Sequence, residues 1–370
     1  MATNEPVHNL RITGTRPLVP PGELRDELPL TPANRDTVVR GREAVTAILD
    51  AIDDRLLVIV GPCSIHDPAA ALEYARRLAE VAHRLEGELD IVMRVYFEKP
   101  RTTVGWKGLI NDPGLDASFR VNDGLRAARA FLLEVLSLDL PVGCEFLDPI
   151  TPQYLADAVS WGAIGARTAQ SQIHRQLASG LSMPIGFKNS TGGDVQGAVD
   201  AVAAAAGAQV FPGIADDGQA AIFETSGNPD CHVVLRGSSA GPNYDAASVA
   251  DTLDRLGRAG LTRRVVIDAS HGNGGKDHRA QSLVAEHIAT RLAMGEPGMV
   301  GVMFESFLVA DRQDLVAGRA SEQLVYGQSV TDACIDWDTT AMILDFLAAA
   351  IATRRARGGP YDSVGIASHH

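Results

Sequence analysis

Between Arg94 and Gly108 the chain reads Arg-Val-Tyr-Phe-Glu-Lys-Pro-Arg-Thr-Thr-Val-Gly-Trp-Lys-Gly, a cation-rich stretch directly after the apolar run Ile91-Val92-Met93. Arginine forks and lysine ammonium groups suit phosphate and carboxylate oxygens. Alone, such a stretch is better explained as a solvated loop. The same pattern recurs along the chain, however: apolar runs end in Gly61-Pro-Cys-Ser-Ile-His-Asp67, Glu145-Phe-Leu-Asp148, Gly165-Ala-Arg-Thr168, Lys188-Asn189, Arg236-Gly237, Asp268-Ala-Ser-His-Gly272 and Glu305-Ser306. Two chemistries separate among these ends. Cys63, His271, Glu305 and Asp332 offer a thiolate, an imidazole and two carboxylates, a mixed S/N/O set suited to a divalent transition metal. Arg94, Lys99, Arg101, Arg167, Lys188 and Arg236 form a cationic group fit for ligands carrying phosphates and a carboxylate. Alternatives stand beside both readings. Cys63 could be a small buried residue or a nucleophile with His66 or His271 as base, and Lys188 could be a Schiff-base lysine.

The elements that must position these groups follow from the spacing. Strands are expected at Leu56–Val60, Ile91–Val95, Val142–Phe146, Ala163–Ala166, Pro184–Phe187, Val233–Leu235, Val265–Ile267 and Val300–Phe304, each followed by a helical segment. Alternation of this kind predicts a (β/α)8 TIM barrel, whose chemistry sits at the C-terminal strand ends. The rival, an open doubly wound sheet, lacks a GxGxxG after the first strand, and Gly272-Asn-Gly-Gly-Lys276 is followed by Asp where a P-loop needs Ser or Thr. The expected organisation is an N-terminal arm and helix (1–55), the catalytic barrel (56–356) with a β-hairpin inserted between strands five and six at about 209–232, and a tail (357–370). The proline-punctuated residues 1–35 read as an extended arm, with a helix from about Asp36 to Asp50.

Composition narrows the class. A formal net charge of −13 argues against a nucleic-acid or anionic-membrane binder, so anionic ligands must meet a local cationic pocket. The 4 cysteines lack a CxxC pair, the N-terminus lacks a signal peptide, and no apolar run approaches the ~18 residues of a membrane helix. The expected location is cytoplasmic.

With these motifs in view, the sequence resembles the type I 3-deoxy-D-arabino-heptulosonate-7-phosphate (DAHP) synthases from about Asp53 to Trp337, through the stretches quoted above and Ile150-Thr-Pro-Gln-Tyr-Leu-Ala-Asp157, Gly186-Phe-Lys-Asn189 and Asp332-Ala-Cys-Ile335. The resemblance implies condensation of phosphoenolpyruvate with D-erythrose 4-phosphate, the first step of the shikimate pathway to aromatic amino acids. It implies a divalent metal ion (Mn, Co, Fe or Zn) on Cys63, His271, Glu305 and Asp332. Phosphoenolpyruvate contacts fall on Arg94, Lys99, Glu145, Gly165, Ala166, Arg167, Lys188 and Arg236, and erythrose 4-phosphate contacts on Lys99, Pro100, Arg101 and Thr102. Lys99, Glu145 and His271 are the catalytic candidates. A homo-oligomer, dimer or tetramer, is expected, with an aromatic amino acid effector near Pro152, Gln153, Leu181, Ser182, Phe211 and Gly213, completed by the arm of a neighbouring subunit. Gly213 leaves more room beside an effector ring than Ser would, which points towards tyrosine over phenylalanine. Two rivals remain. One is a 3-deoxy-octulosonate-8-phosphate synthase-like sibling acting on a five-carbon sugar phosphate, disfavoured by the Lys99-Pro-Arg-Thr102 loop. The other is a catalytically silent effector-binding barrel, from which loss of at least one ligand residue would be expected.

Overall fold

The computed structural model describes residues 7–101, 105–315 and 324–358. The arm is not extended throughout. Pro21 and Pro32 each open a helix, α1 (Pro21–Glu27) and α2 (Pro32–Leu49), because a proline at the first helical position fixes φ and lacks only an N–H that would go unused. Thr31 caps α2 by accepting from Asn34 N at 3.1 Å.

The chain then runs through β1 (Leu56–Gly61), α3 (Pro68–Arg84), β2 (Leu89–Arg94), α4 (Val121–Leu136), β3 (Val142–Glu145), the single turn α5 (Pro152–Leu155), β4 (Trp161–Ile164), α6 (Gln172–Gly180), β5 (Ile185–Lys188) and α7 (Gln196–Ala206). The hairpin β6 (Val210–Ile214) and β7 (Ala220–Glu224) follows, then β8 (His232–Leu235), α8 (Ala246–Arg258), β9 (Val265–Asp268), α9 (Ala280–Ala293), β10 (Met299–Glu305), a small pair β11 (Val309–Arg312) and β12 (Gln328–Ser329), and α10 (Trp337–Ala356). The parallel strands close in the order β1-β10-β9-β8-β5-β4-β3-β2, so the barrel forms as expected and the hairpin lies between its fifth and sixth strands.

Barrel strands are buried along their whole length, as parallel strands covered on both faces must be. Leu57, Ile59, Val92, Trp161, Val234, Val266 and Met303 share a cluster with Val45, Ile48 and Leu49 of α2, while a second cluster packs strands against the outer helices. α2, which touches β1, β2 and β4, thus plugs the end of the barrel away from the strand tips. Asp67 caps α3 through Ala69 N and Ala70 N at 3.0 and 3.2 Å, which fixes the turn carrying Cys63 between β1 and that helix.

Candidate active site and metal centre

At the C-terminal ends of the strands lies a cavity of about 380 Å³ whose walls include Lys99, Pro100, Arg101, Glu145, Gly165, Ala166, Arg167, Lys188, Arg236, His271, Glu305 and Asp332. Most of the expected site therefore converges. Thr102 lies outside the described residues.

The thiol and carboxylates form one group: donor atoms of Cys63, Glu305 and Asp332 all lie within 4.8 Å of one another. Cys63 Sγ is 3.5 Å from Asp332 Oδ2 and accepts from Asp332 N at 3.4 Å. His271 Nδ1 is 3.0 Å from Asp268 Oδ2, and its Nε2 stands 3.8 Å from Glu305 Oε1. With Nδ1 engaged by a buried carboxylate, the Nε2 lone pair faces the group, and a carboxylate on the other ring nitrogen is what orients metal-binding histidines. His271 adopts φ +52°, a left-handed backbone rarely taken by a residue with a side chain. A soft sulfur, an imidazole nitrogen and carboxylate oxygens on neighbouring strand ends fit a divalent transition metal.

Cations hold this group in place. Arg94 donates to Glu305 Oε1 at 2.8 Å and to Pro62 O, with its guanidinium 3.7 Å from the centre of the Tyr96 ring. Arg94 is thus fully buried, and its guanidinium also positions Glu305. Lys99 Nζ sits 3.1 Å from Cys63 Sγ and 3.3 Å from Cys63 O. Burial opposes the Lys99 charge, but Cys63 and Glu305 more than offset it and its pKa is raised. Burial, reinforced by Glu305, pushes the Cys63 thiol up to about 12. Among the described residues, the side-chain partners of Cys63 Sγ are Lys99 and Asp332 rather than a histidine, so the nucleophilic-cysteine reading finds no base.

Opposite this group, Lys188 Nζ binds Asp268 Oδ2 at 2.8 Å, and an ion-paired ammonium is a poor Schiff-base nucleophile. Asp268 is fully buried and also accepts from Ser270 N and Oγ at 3.0 and 2.6 Å. Burial raises its pKa, but His271 and Lys188 win and hold the carboxylate well below its usual range. Burial lowers the Arg236 pKa, Asp268 opposes this, and the like charge of Arg167 lowers it again. A bound anion would relieve that strain. The Glu145 carboxylate lies against Gly165, where a Cβ would come within 2.1 Å of Oε1 and displace it.

Sequence reasoning gave no role to several groups. Asp268 ends the seventh barrel strand, a visible signal. Gln281 exchanges hydrogen bonds with the Glu305 backbone at 3.0 and 2.9 Å, and nothing in the sequence marks it. Lys276, His278 and Arg312 also line the cavity. Asn189 accepts from Arg236 N at 2.8 Å and from Asn243 Nδ2 at 3.2 Å, tying two strand ends together.

The residues expected to hold an effector lie away from the cavity, where α5, the end of α6 and the hairpin come together. Pro152 is buried at the start of α5, Leu181 half-buried, and Phe211 meets Phe223 edge to face at 5.8 Å. Ser182 is exposed. The room expected beside Gly213 is occupied, since a Cβ there would meet the Phe223 ring at 2.5 Å. The chain's own arm also reaches this region: Gly22 N donates to Asp216 O at 2.7 Å, Arg25 pairs with Asp216, and Arg25 Nη1 donates to Gln153 O at 3.4 Å.

The chain is similar to known proteins over nearly its whole length. Over 352 residues, 94% of this chain and 95% of the relative, the sequence is 54% identical to the phospho-2-dehydro-3-deoxyheptonate aldolase of Corynebacterium glutamicum. It is 53% identical over 347 residues, 94% of this chain and 98% of the relative, to the Phe-sensitive phospho-2-dehydro-3-deoxyheptonate aldolase of Escherichia coli. The solved structure of phospho-2-dehydro-3-deoxyheptonate aldolase from Francisella tularensis superposes with a TM-score of 0.90 at 48% identity, covering 93% of this chain and 99% of that one. Residues 32–345 match the profile of the DAHP synthetase I family, and with identities this high over nearly full length, the chain belongs to that family.

Proposed function

We infer that this protein is a transferase that condenses phosphoenolpyruvate with D-erythrose 4-phosphate, giving 3-deoxy-D-arabino-heptulosonate 7-phosphate and phosphate, at the entry to aromatic amino acid biosynthesis. The observation that carries the reading is the Cys63–Glu305–Asp332 group beside a wall bearing Lys99, Arg167, Lys188 and Arg236, in a chain of this family.

Arg167, Lys188 and Arg236, with the Gly165–Ala166 backbone, hold the phosphate and carboxylate of phosphoenolpyruvate and offset the charge that develops as the C2–O bond breaks. C3 attacks the aldehyde carbon, water adds at C2, and phosphate leaves. Cys63, His271, Glu305 and Asp332 would hold a divalent metal, Mn, Co, Fe or Zn, which when bound polarises the aldehyde oxygen. Lys99, beside Cys63 on the cavity wall, bridges the two substrates, and Pro100, Arg101 and Thr102 contact the sugar phosphate. Both His271 nitrogens face carboxylates, Asp268 and Glu305. That leaves Glu145, on the wall against Gly165, as the better candidate to take the proton of the attacking water. Arg94 acts through Glu305. Fixing both substrates makes the encounter effectively unimolecular.

Phosphate release from phosphoenolpyruvate with four- and five-carbon aldose phosphates, with and without added metal, tests the reading. Preference for the five-carbon sugar would favour the octulosonate sibling, and no release under any condition would favour a silent barrel, against which the complete ligand set argues. The enzyme acts in the cytoplasm as a dimer or tetramer. An aromatic amino acid acts at the α5–hairpin region through Pro152, Gln153, Leu181, Ser182, Phe211 and Gly213, in keeping with the Phe-sensitive relative.

A further inference from the structure

The cations of the cavity divide into two poles by strand order. Arg167 follows β4, Lys188 ends β5 and Arg236 follows β8, strands that stand across the closed barrel from β1. Arg101 follows β2, and Arg312 closes β11 just after β10; β2 and β10 are the two barrel neighbours of β1. Cys63, on the loop after β1, lies between them. Two phosphate-bearing substrates repel each other, so they are best held at opposite poles, with the reacting carbons between. The proposed sugar-phosphate contacts supply one arginine on the β1 side, Arg101, whose Nε is already committed to Trp106 O at 2.8 Å. A phosphate dianion there calls for a second fork.

We propose that Arg312 is that second fork: a residue that binds the phosphate of the aldose substrate and sets its position. The proposal rests on the condensation reading above. Arg312 lines the same cavity as Arg101 and Asp332. Its backbone is fixed rather than loosely hung. Asp311 bridges Cys334, with Asp311 N donating to Cys334 O at 2.8 Å and Cys334 N to Asp311 O at 3.2 Å, which ties β11 to the segment carrying Asp332. Asp311 takes φ +75° and accepts from Arg312 N at 2.9 Å, and Gln313 N donates to Ser329 O at 2.8 Å. The guanidinium pairs with Asp314, an acid whose side chain is 76% exposed. An exposed pair of this kind is weak, so a phosphate oxygen can displace the carboxylate at little cost. The buried pairs of Arg94 and Lys188 could not be exchanged so cheaply.

The test is steady-state kinetics of the full-length, metal-supplied enzyme. Arg312→Ala should raise the KM for erythrose 4-phosphate about tenfold, the loss of one charge-assisted contact at a partly exposed site, with the KM for phosphoenolpyruvate nearly unchanged. Arg312→Lys should recover part of the loss, since it keeps the charge and gives up the fork. Arg236→Ala should show the opposite selectivity. Arg279→Ala, an exposed arginine outside the cavity wall, should behave as wild type. A second readout needs no turnover: calorimetric binding of D-erythritol 4-phosphate, which lacks the aldehyde, should weaken in Arg312→Ala. Unchanged erythrose 4-phosphate KM and analogue affinity in an active Arg312→Ala enzyme, or an equal rise in both KM values, would overturn this inference alone. A wild-type enzyme that fails to consume erythrose 4-phosphate would overturn the condensation reading as well.

Discussion

Asp268 joins the two halves of the site, so Asp268→Asn should damage both at once. The carboxylate is fully buried and serves Lys188 Nζ at 2.8 Å, His271 Nδ1 at 3.0 Å, and Ser270 N and Oγ at 3.0 and 2.6 Å. Asparagine keeps the shape but brings an NH2. Turned towards Oδ2, that group opposes the Lys188 ammonium and the His271 ring N–H; turned towards Oδ1, it opposes Ser270 N–H. Either way Lys188 is left as a buried cation without its counter-charge, a loss of about 3–5 kcal/mol for breaking a buried pair. Loss of the partner that orients a ligating histidine typically lowers metal affinity by about 10–100-fold. The assays are metal affinity by calorimetry, the KM for phosphoenolpyruvate, and chemical denaturation. The expected outcome is a loss in all three, whereas Arg236→Ala should affect the second alone. Because the Asp268 pKa is held well below the usual range by His271 and Lys188 against the effect of burial, the effect should be independent of pH near neutrality. An Asp268→Asn enzyme with wild-type metal affinity and phosphoenolpyruvate KM would refute the coupling.

Three further outcomes are expected. Cys63→Ser should abolish metal-dependent turnover and the thermal stabilisation given by added metal, because a hydroxyl replaces a soft thiolate; full turnover under strict metal control would remove Cys63 from the ligand set. Burial pushes the Glu98 carboxyl from 4.5 up to about 7, against hydrogen bonds from Thr151 and Leu147, so its contribution to stability is present below pH 4.5 and is lost by about 3 kcal/mol as pH rises through 7. Glu98→Gln should flatten urea-unfolding stability across that window, and an unchanged slope would contradict it. Deleting residues 1–15 should keep activity and relieve aromatic amino acid inhibition, and equal inhibition of both forms would rule out a role for those first 15 residues of the arm.

That deletion is shorter than the arm read from the sequence, for a physical reason. Val19 and Leu24 are buried, Tyr154 Oη donates to Val19 O at 2.7 Å, and Asn34 is enclosed beside α4, so removing residues 1–35 would open the core. Proline spacing suggested an extended segment there, yet the same prolines open α1 and α2. The barrel itself was legible because its strands are short apolar runs, most of them stopped by a charged residue and the others by glycine. The error at β4, expected at Ala163–Ala166 and found at Trp161–Ile164, arose because Gly165-Ala166 belongs to the turn that approaches Glu145. The last helix starts at Trp337, where Asp336 caps it through Thr339 N at 2.8 Å, which leaves Asp332 in the loop beside Cys63. β11 and β12 were missed because they are too short to show alternation, and with them went the placement of Arg312. The bond from Arg94 to Glu305 was not legible either, because sequence shows which residues end a strand and not which neighbouring carboxylate a side chain meets.

That distinction separates the cations by what they do. Arg94, Lys99 and Lys188 are buried, and each already has a partner in the metal half or in Asp268. Such pairs recover little net stability once desolvation is counted, so stability does not explain them. What they fix is geometry, holding Glu305, Cys63 and Asp268 in place before any substrate arrives, which is where preorganised electrostatics gains its effect. Arg101, Arg236 and Arg312 are partly open to the cavity, and for Arg236 burial and the charge of Arg167 already make the cation costly. An incoming phosphate or carboxylate relieves that cost, so selectivity for anions in a chain of net charge −13 comes from a few cations placed where only a ligand can neutralise them fully.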